Sequence, residues 1–173
     1  QKSYNQGKDA EQFGRYSERL GADAPSDVDT FQRLKYSKPD EWSDLKGLYS
    51  YKGRVPEATK ADFQTYKKIK ATGIYGTVRV PAAKIDTSTL TLDVAHINER
   101  RHGVTQEEAV SYIKNAAFSL KRRHWTGETF LNYYSEEGAS YVRTSDNVIR
   151  TSFKKDEFDK KTKSAMEVLK NGK

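Results

Sequence analysis

All three histidines of this 173-residue chain, His96, His102 and His124, fall in its second half, and the first two bound its densest polar cluster, His96-Ile-Asn-Glu-Arg-Arg-His102. On a helix, Glu99 and Arg100 lie three and four residues after His96 and share its face, while Arg101 and His102 point elsewhere. An imidazole moves a proton near neutral pH, and a planar guanidinium one turn away binds phosphate through two parallel hydrogen bonds. The same spacing also occurs on solvated surface helices. A second polar set follows in Tyr133-Tyr134-Ser135 and Ile149-Arg150-Thr151-Ser152-Phe153. In regular strands Tyr134 and Ser135 face opposite ways. Ile149, Thr151 and Phe153 then share one face, and Arg150 and Ser152 the other. A Tyr or Thr hydroxyl opposite the His and Arg of a packed helix would complete a site for an oxyanion or phosphate. Each of these residues alone also reads as ordinary cross-strand packing. His124, beside Trp125 in an expected hairpin loop, reads as a bystander or a nucleic-acid contact.

Other chemistries lack their residues. The chain has no cysteine, which removes disulfides, thiolate metal ligands and Cys nucleophiles together. There is no H-E-x-x-H and no D-x-D-x-D-G loop, and His96 and His102, six residues apart, do not face one ion on a continuous helix. Phosphate-loop and dinucleotide glycine patterns and the G-x-S-x-G nucleophile motif are also missing. No metal and no cofactor is therefore expected, which leaves metal-free proton transfer or plain binding.

The elements that must position these residues divide the chain near Gly73. Before it, apolar stripes predict four amphipathic helices: Ala10 to Leu20, Ser26 to Tyr36, one opening at Pro39 through Trp42, Leu45 and Tyr49, and one capped by Thr59 and running to Ala71. After it, Ile74 to Pro81 alternates like a short strand, and Thr87 to Leu92 reads as irregular and extended. Asp93 to His102 has helical character, and Thr105-Gln-Glu-Glu108 is a capping box opening another helix. Four alternating segments follow, Phe118 to Arg122, Thr129 to Ser135, Ala139 to Thr144 and Val148 to Phe153. Gly138 and Asp146-Asn147 sit where tight turns are needed. A charged helix from Asp156 to Lys170 closes the chain. The expected fold class is α+β: a helical N-terminal region over 1–73, then over 74–173 a helix packed on a four-stranded antiparallel sheet, closed by a C-terminal helix.

The 20 aromatic residues argue against simple disorder despite a mean hydropathy of −0.93, because each ring buries a large apolar area. No apolar run reaches the roughly 18 residues of a membrane span. Gln1 to Gly7 lacks the pattern of a signal peptide, and a start at Gln reads as a piece of a longer polypeptide. The net charge of +7 splits into +3 over 1–73 and +4 over 74–173. It attracts anionic partners in general without marking a site.

Several motifs occur in a telling order: His96-x-x-x-Arg100-Arg101, Thr105-x-Glu-Glu-Ala109, Tyr133-Tyr134-Ser135-x-x-Gly138, Tyr141-Val142 and Ile149-Arg150-Thr151-x-Phe153. Over about 73–170 this order resembles the phage-associated branch of the barnase/EndoU/colicin/RelE (BECR) nuclease superfamily, found at the C-termini of phage minor head proteins and polymorphic toxins. Gly47-Leu-Tyr-Ser-Tyr51 and Tyr66-Lys-Lys-Ile-Lys-Ala71 also resemble the segment preceding such domains. The resemblance implies a metal-independent endoribonuclease toxin domain that cleaves RNA by attack of the ribose 2'-hydroxyl on the adjacent phosphate. It implies action in a bacterial cytoplasm, delivery within a larger phage or toxin polypeptide, and restraint by an acidic immunity protein. It makes His96 a proton-transfer residue and Arg100 a phosphate clamp. Tyr134 and Thr151 supply hydroxyls, and Arg101, Ser135, Arg150 and Lys154 contact substrate. It leaves the second acid–base residue open, with Glu99 close to His96 and His102 off its face. Two other readings stand beside it: a non-catalytic RNA-binding or phage-structural module using its Tyr-rich strands as stacking platforms, and an ADP-ribosyltransferase toxin, for which Glu136 or Glu137 would be the carboxylate.

Overall fold

A computed structural model describes residues 5–99 and 103–171, with only the backbone described over 97–99. The chain divides after Phe63 into two compact units.

The first unit is helical. Helix α1 (Gln6–Leu20) starts where the Asn5 side chain accepts from the Lys8 N–H, α2 (Val28–Ser37) where Asp27 accepts from Thr30, and α3 (Pro39–Arg54) has proline in its first turn. Side-chain caps satisfy amide donors that a helix leaves unpaired, and proline there forfeits nothing. The predicted stripes meet: Tyr16 stacks on Tyr49 with ring centroids 4.0 Å apart, and Phe31 meets both Tyr16 and Trp42 edge-on at 5.3 Å. Beside them Asp9 is buried, 2.8 Å from the Lys35 ammonium and bonded by Gln32 and the Tyr36 hydroxyl. Helix α4 (Lys60–Ala71) opens with reciprocal Thr59 and Asp62 caps, and the division between units falls within it.

The second unit is α+β, but its sheet differs from the expected four-stranded antiparallel one. It has six strands, β1 (Thr77–Arg79), β2 (Thr91–Leu92), β3 (Phe118–Arg123), β4 (Thr129–Tyr134), β5 (Gly138–Arg143) and β6 (Val148–Lys154), in the order β1-β3-β4-β5-β6-β2. The central four form the expected antiparallel meander. Strand β1 adds antiparallel to β3, and β2 adds parallel to β6, which makes the sheet mixed. These edge strands are short, and both pair with partners distant in sequence. The alternation over Ile74 to Pro81 marked β1 as a strand, but neither its pairing with β3 nor that of β2 with β6 was legible from alternation. Asn147 at φ 57° turns the β5–β6 hairpin as its Asp-Asn sequence suggested.

The sheet's two faces have separate tasks. On one, helix α6 (Gln106–Lys114), opened by the predicted capping box, buries Ala109, Tyr112 and Ile113 against Tyr133, Val142 and Ile149. Ser140 ties it down, its hydroxyl donating to the Ala109 carbonyl at 2.7 Å. Gly138 is required here, because a Cβ would fall against the Tyr112 ring and 2.6 Å from the Phe153 carbonyl oxygen. On the other face, Phe118, Leu120, Tyr134 and Ala139 pack with Ile69 of α4, Phe158, and Ala165 of α7 (Lys160–Asn171). Helix α7 begins later than the predicted Asp156, because Lys155–Glu157 forms a separate 3-10 turn and Asp159 is the residue accepting from the Thr162 N–H at 2.8 Å. The predicted helix over Asp93 to His102 exists as α5 (Val94–Glu99); its remainder, with Arg100, Arg101 and His102, lies outside the described residues.

Candidate active site

The face that carries α7 is covered at one end only. Toward the other end, Arg122 of β3, Phe130 and Asn132 of β4, Tyr141 of β5 and Thr151 of β6 line an open cleft of about 720 Å³. These side chains are brought together by register: Arg122 lies opposite Phe130, Asn132 opposite Tyr141, and Tyr141 opposite Thr151. His96 and the β3–β4 hairpin residues His124 and Trp125 line the same cleft.

His96 reaches it through a chain of local ties. Strand β2 pairs with the start of β6, and the Asp93 N–H continues that ladder to the Ile149 carbonyl at 3.0 Å. One Asp93 carboxylate oxygen then accepts from the His96 N–H at 3.1 Å, capping α5, while the other lies 3.2 Å from the Arg150 guanidinium on β6. One turn into the helix, His96 Nε2 comes to 3.4 Å from Thr151 Oγ1. The spacing is that of a weak contact across the rim, open to a ligand atom that would tighten it.

Regular alternation assigned Ile149 and Thr151 to one face and Arg150 to the other, and the structure corrects this. Tyr141 pairs with Thr151, but the next residue, Val142, pairs with Ile149, leaving Arg150 as the extra residue of a β-bulge. Ile149 therefore packs under α6, while Arg150 and Thr151 both line the cleft. Bulges re-aim side chains in this way, and no periodic pattern reveals one beforehand.

The other expected site residues are placed differently. Tyr134 is buried behind Tyr141, with the two hydroxyls 3.0 Å apart, and is absent from the cleft lining. Burial, with the neighbouring Tyr141, pushes the Tyr134 hydroxyl far above the usual phenol range. Burial also raises that of Tyr141, against the opposing hydrogen bond from Tyr134. Both remain protonated donors at neutral pH. Ser135 is buried in the β4–β5 connection, where its hydroxyl donates to the Gly138 carbonyl at 2.9 Å. Lys154 is exposed at the end of β6 and takes no part in the cleft lining. Glu136 and Glu137 are exposed in the β4–β5 connection and take no part in the cleft lining.

No protein-family model, curated protein or solved structure matches this chain.

The cleft's character rests on its own side chains. Among the described residues Arg122, Arg123 and Arg150 bring three guanidinium groups, against one carboxylate, Glu128, which pairs with Arg143 at 3.4 Å. Trp125 is 89% exposed and Tyr75 69% exposed at its edges. Exposed rings beside cations form a surface for stacking planar groups and holding anions. On the floor, Asn132 is buried and its side-chain oxygen has no hydrogen-bond partner among the described residues. An orphaned buried acceptor carries a penalty of about 1–3 kcal/mol. His124 is oriented by its own turn: Nδ1 lies 3.0 Å from the Thr126 hydroxyl, which donates to Glu128 at 3.1 Å. Among the described residues no group of three or more His, Asp or Glu side chains converges as metal ligands. Nor is any described helix long and apolar enough to cross a membrane. Sequence reasoning passed over Arg122, Asn132 and Tyr141 as site residues. Their one available signal was period-two placement in strands whose same-face neighbours are core residues.

Proposed function

We propose that the second unit is a metal-independent endoribonuclease of the BECR type, cleaving RNA by transesterification. The observation that carries the reading is the His96 imidazole 3.4 Å from the Thr151 hydroxyl on the rim of a cleft bearing three arginines. In this reaction the 2'-oxygen forms a bond to phosphorus as the bond from phosphorus to the 5'-oxygen breaks. One group takes the 2'-hydroxyl proton and another protonates the departing 5'-oxygen. The products are a 2',3'-cyclic phosphate and a 5'-hydroxyl. Among the described residues His96 and His124 are the imidazoles available for these transfers, and the Thr126–Glu128 pair holds the His124 ring through Nδ1. Arg150 and Arg122 offset the charge that builds on the phosphorane, joined by Arg100 and Arg101 in the resemblance, while Thr151 and Tyr141 donate to its oxygens. Tyr134 acts through Tyr141 as a positioning residue.

The test is incubation of the whole chain with bulk tRNA and rRNA in EDTA, with analysis of fragment ends. Cleavage to 2',3'-cyclic phosphate ends, reduced about 10²- to 10⁴-fold by His96→Ala or His124→Ala, supports the reading. Intact RNA at high protein concentration refutes it. RNA that is bound but never cut favours the binding module, for which the exposed Trp125 and Tyr75 rings would be the platform.

A further inference from the structure

A second groove adjoins the first. It holds about 770 Å³ and is lined by Lys70 at the end of α4, the turn from Gly73 to Thr77, and Lys121, Arg122 and Arg123 of β3. Tyr75, Arg122 and Arg123 line both grooves, so the two are continuous over the Tyr75 ring.

Three features set this groove apart from ordinary charged surface. Lys70, Lys121, Arg122 and Arg123 converge on it, and the described residues give none of the four an ion pair. By contrast, Arg143 and Arg150 of the same sheet are paired with carboxylates. Among the described residues no acidic side chain lines the groove. At the junction Tyr75 holds its ring in solvent, with the Arg122 guanidinium 5.2 Å from the ring centroid. The ring is presented there by the backbone. Gly76 has φ 120° and approaches β3 so closely that a Cβ would lie 3.0 Å from the Lys121 carbonyl oxygen. That conformation and approach suit glycine alone.

We infer that this groove is a flanking subsite for a single-stranded polynucleotide. The strand leaves the cleft, stacks a base on Tyr75, and lays its next phosphodiesters against Lys70 and Lys121. The inference rests on the proposed RNA-directed function and adds that the substrate is a strand several nucleotides long rather than a dinucleotide. A duplex fits less well, because its bases are already stacked and cannot use Tyr75.

The test measures the affinity of the whole chain for fluorescein-labelled single-stranded RNAs of about 3 and about 12 nucleotides, over a range of salt concentrations. Each phosphate contact on a single strand contributes about 0.7 to the slope of log affinity against log salt. The Lys70→Ala/Lys121→Ala double variant, altered at two exposed side chains, should lower the slope for the longer RNA by about 1.4. It should leave the slope for the shorter RNA unchanged. Tyr75→Ala should weaken single-strand binding about tenfold and duplex binding far less. An unchanged slope in the double variant, with the longer RNA still bound and cut, overturns the flanking subsite alone. Equal losses of single-strand and duplex affinity in Tyr75→Ala overturn the stacking role. Failure of the unaltered chain to bind or cut either RNA overturns the proposed function as well.

Discussion

Replacing Asp93 tests how the site is positioned without touching the reacting groups. Helix α5 has six described residues, well short of the about 12–15 at which an isolated helix becomes even marginal. Its order must therefore come from its ties. Asp93 supplies two of them with its side chain, accepting the His96 N–H at 3.1 Å and pairing with Arg150 at 3.2 Å. Loss of a side-chain cap costs about 1 kcal/mol, and a partly exposed ion pair contributes about 0.2–1 kcal/mol. Asp93→Ala removes both, a local loss of about 1–2 kcal/mol, or roughly a tenfold fall in the ratio of ordered to disordered α5. We expect kcat for RNA cleavage to fall by up to about tenfold with a smaller change in KM. Amide hydrogen exchange over α5 should speed up by a similar factor, while β3 to β6 keep their protection. Asp93→Asn keeps an oxygen to cap the helix and loses only the charge, so it should stay within about threefold of the unaltered protein. An Asp93→Ala protein with normal exchange over α5 would refute the capping argument, whatever its activity. An Asp93→Asn protein as impaired as Asp93→Ala would show that the ion pair, and not the cap, positions His96.

Three further outcomes follow from the geometry. Tyr141→Phe should reduce cleavage by about tenfold or more, as expected for loss of a hydroxyl donor in the cleft. Tyr134→Phe, behind it, should act more weakly, and the reverse order in kcat would place the working hydroxyl on Tyr134. Gly138→Ala should lower the thermal midpoint of the second unit by more than about 5 °C, because the new methyl overpacks against Tyr112 and the Phe153 carbonyl; an unchanged midpoint would show that α6 can shift freely. Burial opposes the charge on Asp9, but hydrogen bonds from Lys35, Gln32 and Tyr36 outweigh it and hold the carboxyl below its ordinary 3.8. The unfolded chain then binds the proton more tightly. Asp9 thus contributes stability that is fully present above about pH 4 and is lost as the pH falls through the lowered folded value. Urea unfolding from pH 7 to pH 2 should show this acid loss, and in Asp9→Asn it should be shallower. Identical acid limbs would contradict the assignment.

What could be read in the sequence was whatever a period or a cap encodes. The Thr105-x-x-Glu108 box, the Asp146-Asn147 turn and the four central strands all appear as expected, because each depends on residues close in the chain. Alternation over Ile74 to Pro81 marked β1 and Thr87 to Leu92 read as extended, but the places of β1 and β2 at the sheet's edges were hidden, since their pairing with β3 and β6 depends on distant residues. Within the site, His96 and Thr151 could be nominated from residue type and do meet. Tyr134 and Tyr141 are equivalent as sequence letters, yet one is sealed under Phe158 and the other opens on the cleft. The difference comes from where α7 stops covering the sheet, which strand alternation does not specify. Arg122 and Asn132 share that face with core residues, so their polar character in an apolar column was the signal to follow.

The bulge at Arg150 offers the sharpest test of how that face is built. A strand normally tolerates no deletion, because removing one residue transfers every later side chain to the opposite face. Arg150 is the exception, since Ile149 and Thr151 already pair with the adjacent residues Val142 and Tyr141. Deleting Arg150 would make the ladder regular, leaving Ile149 under α6 and Thr151 on the cleft side. The deleted chain loses the Asp93 ion pair and the local twist, but no core contact changes sides. It should fold with a thermal midpoint within several degrees of the unaltered protein and with impaired RNA cleavage. Deleting Ser152, two residues on, should instead prevent folding of the second unit. That deletion sets Phe153 out of register with Ala139 and removes a hydroxyl buried beside Ser140. If the two deletions are equally destructive, Arg150 is held by the ladder after all, and the account of how Arg150 and Thr151 come to share one cleft fails with it.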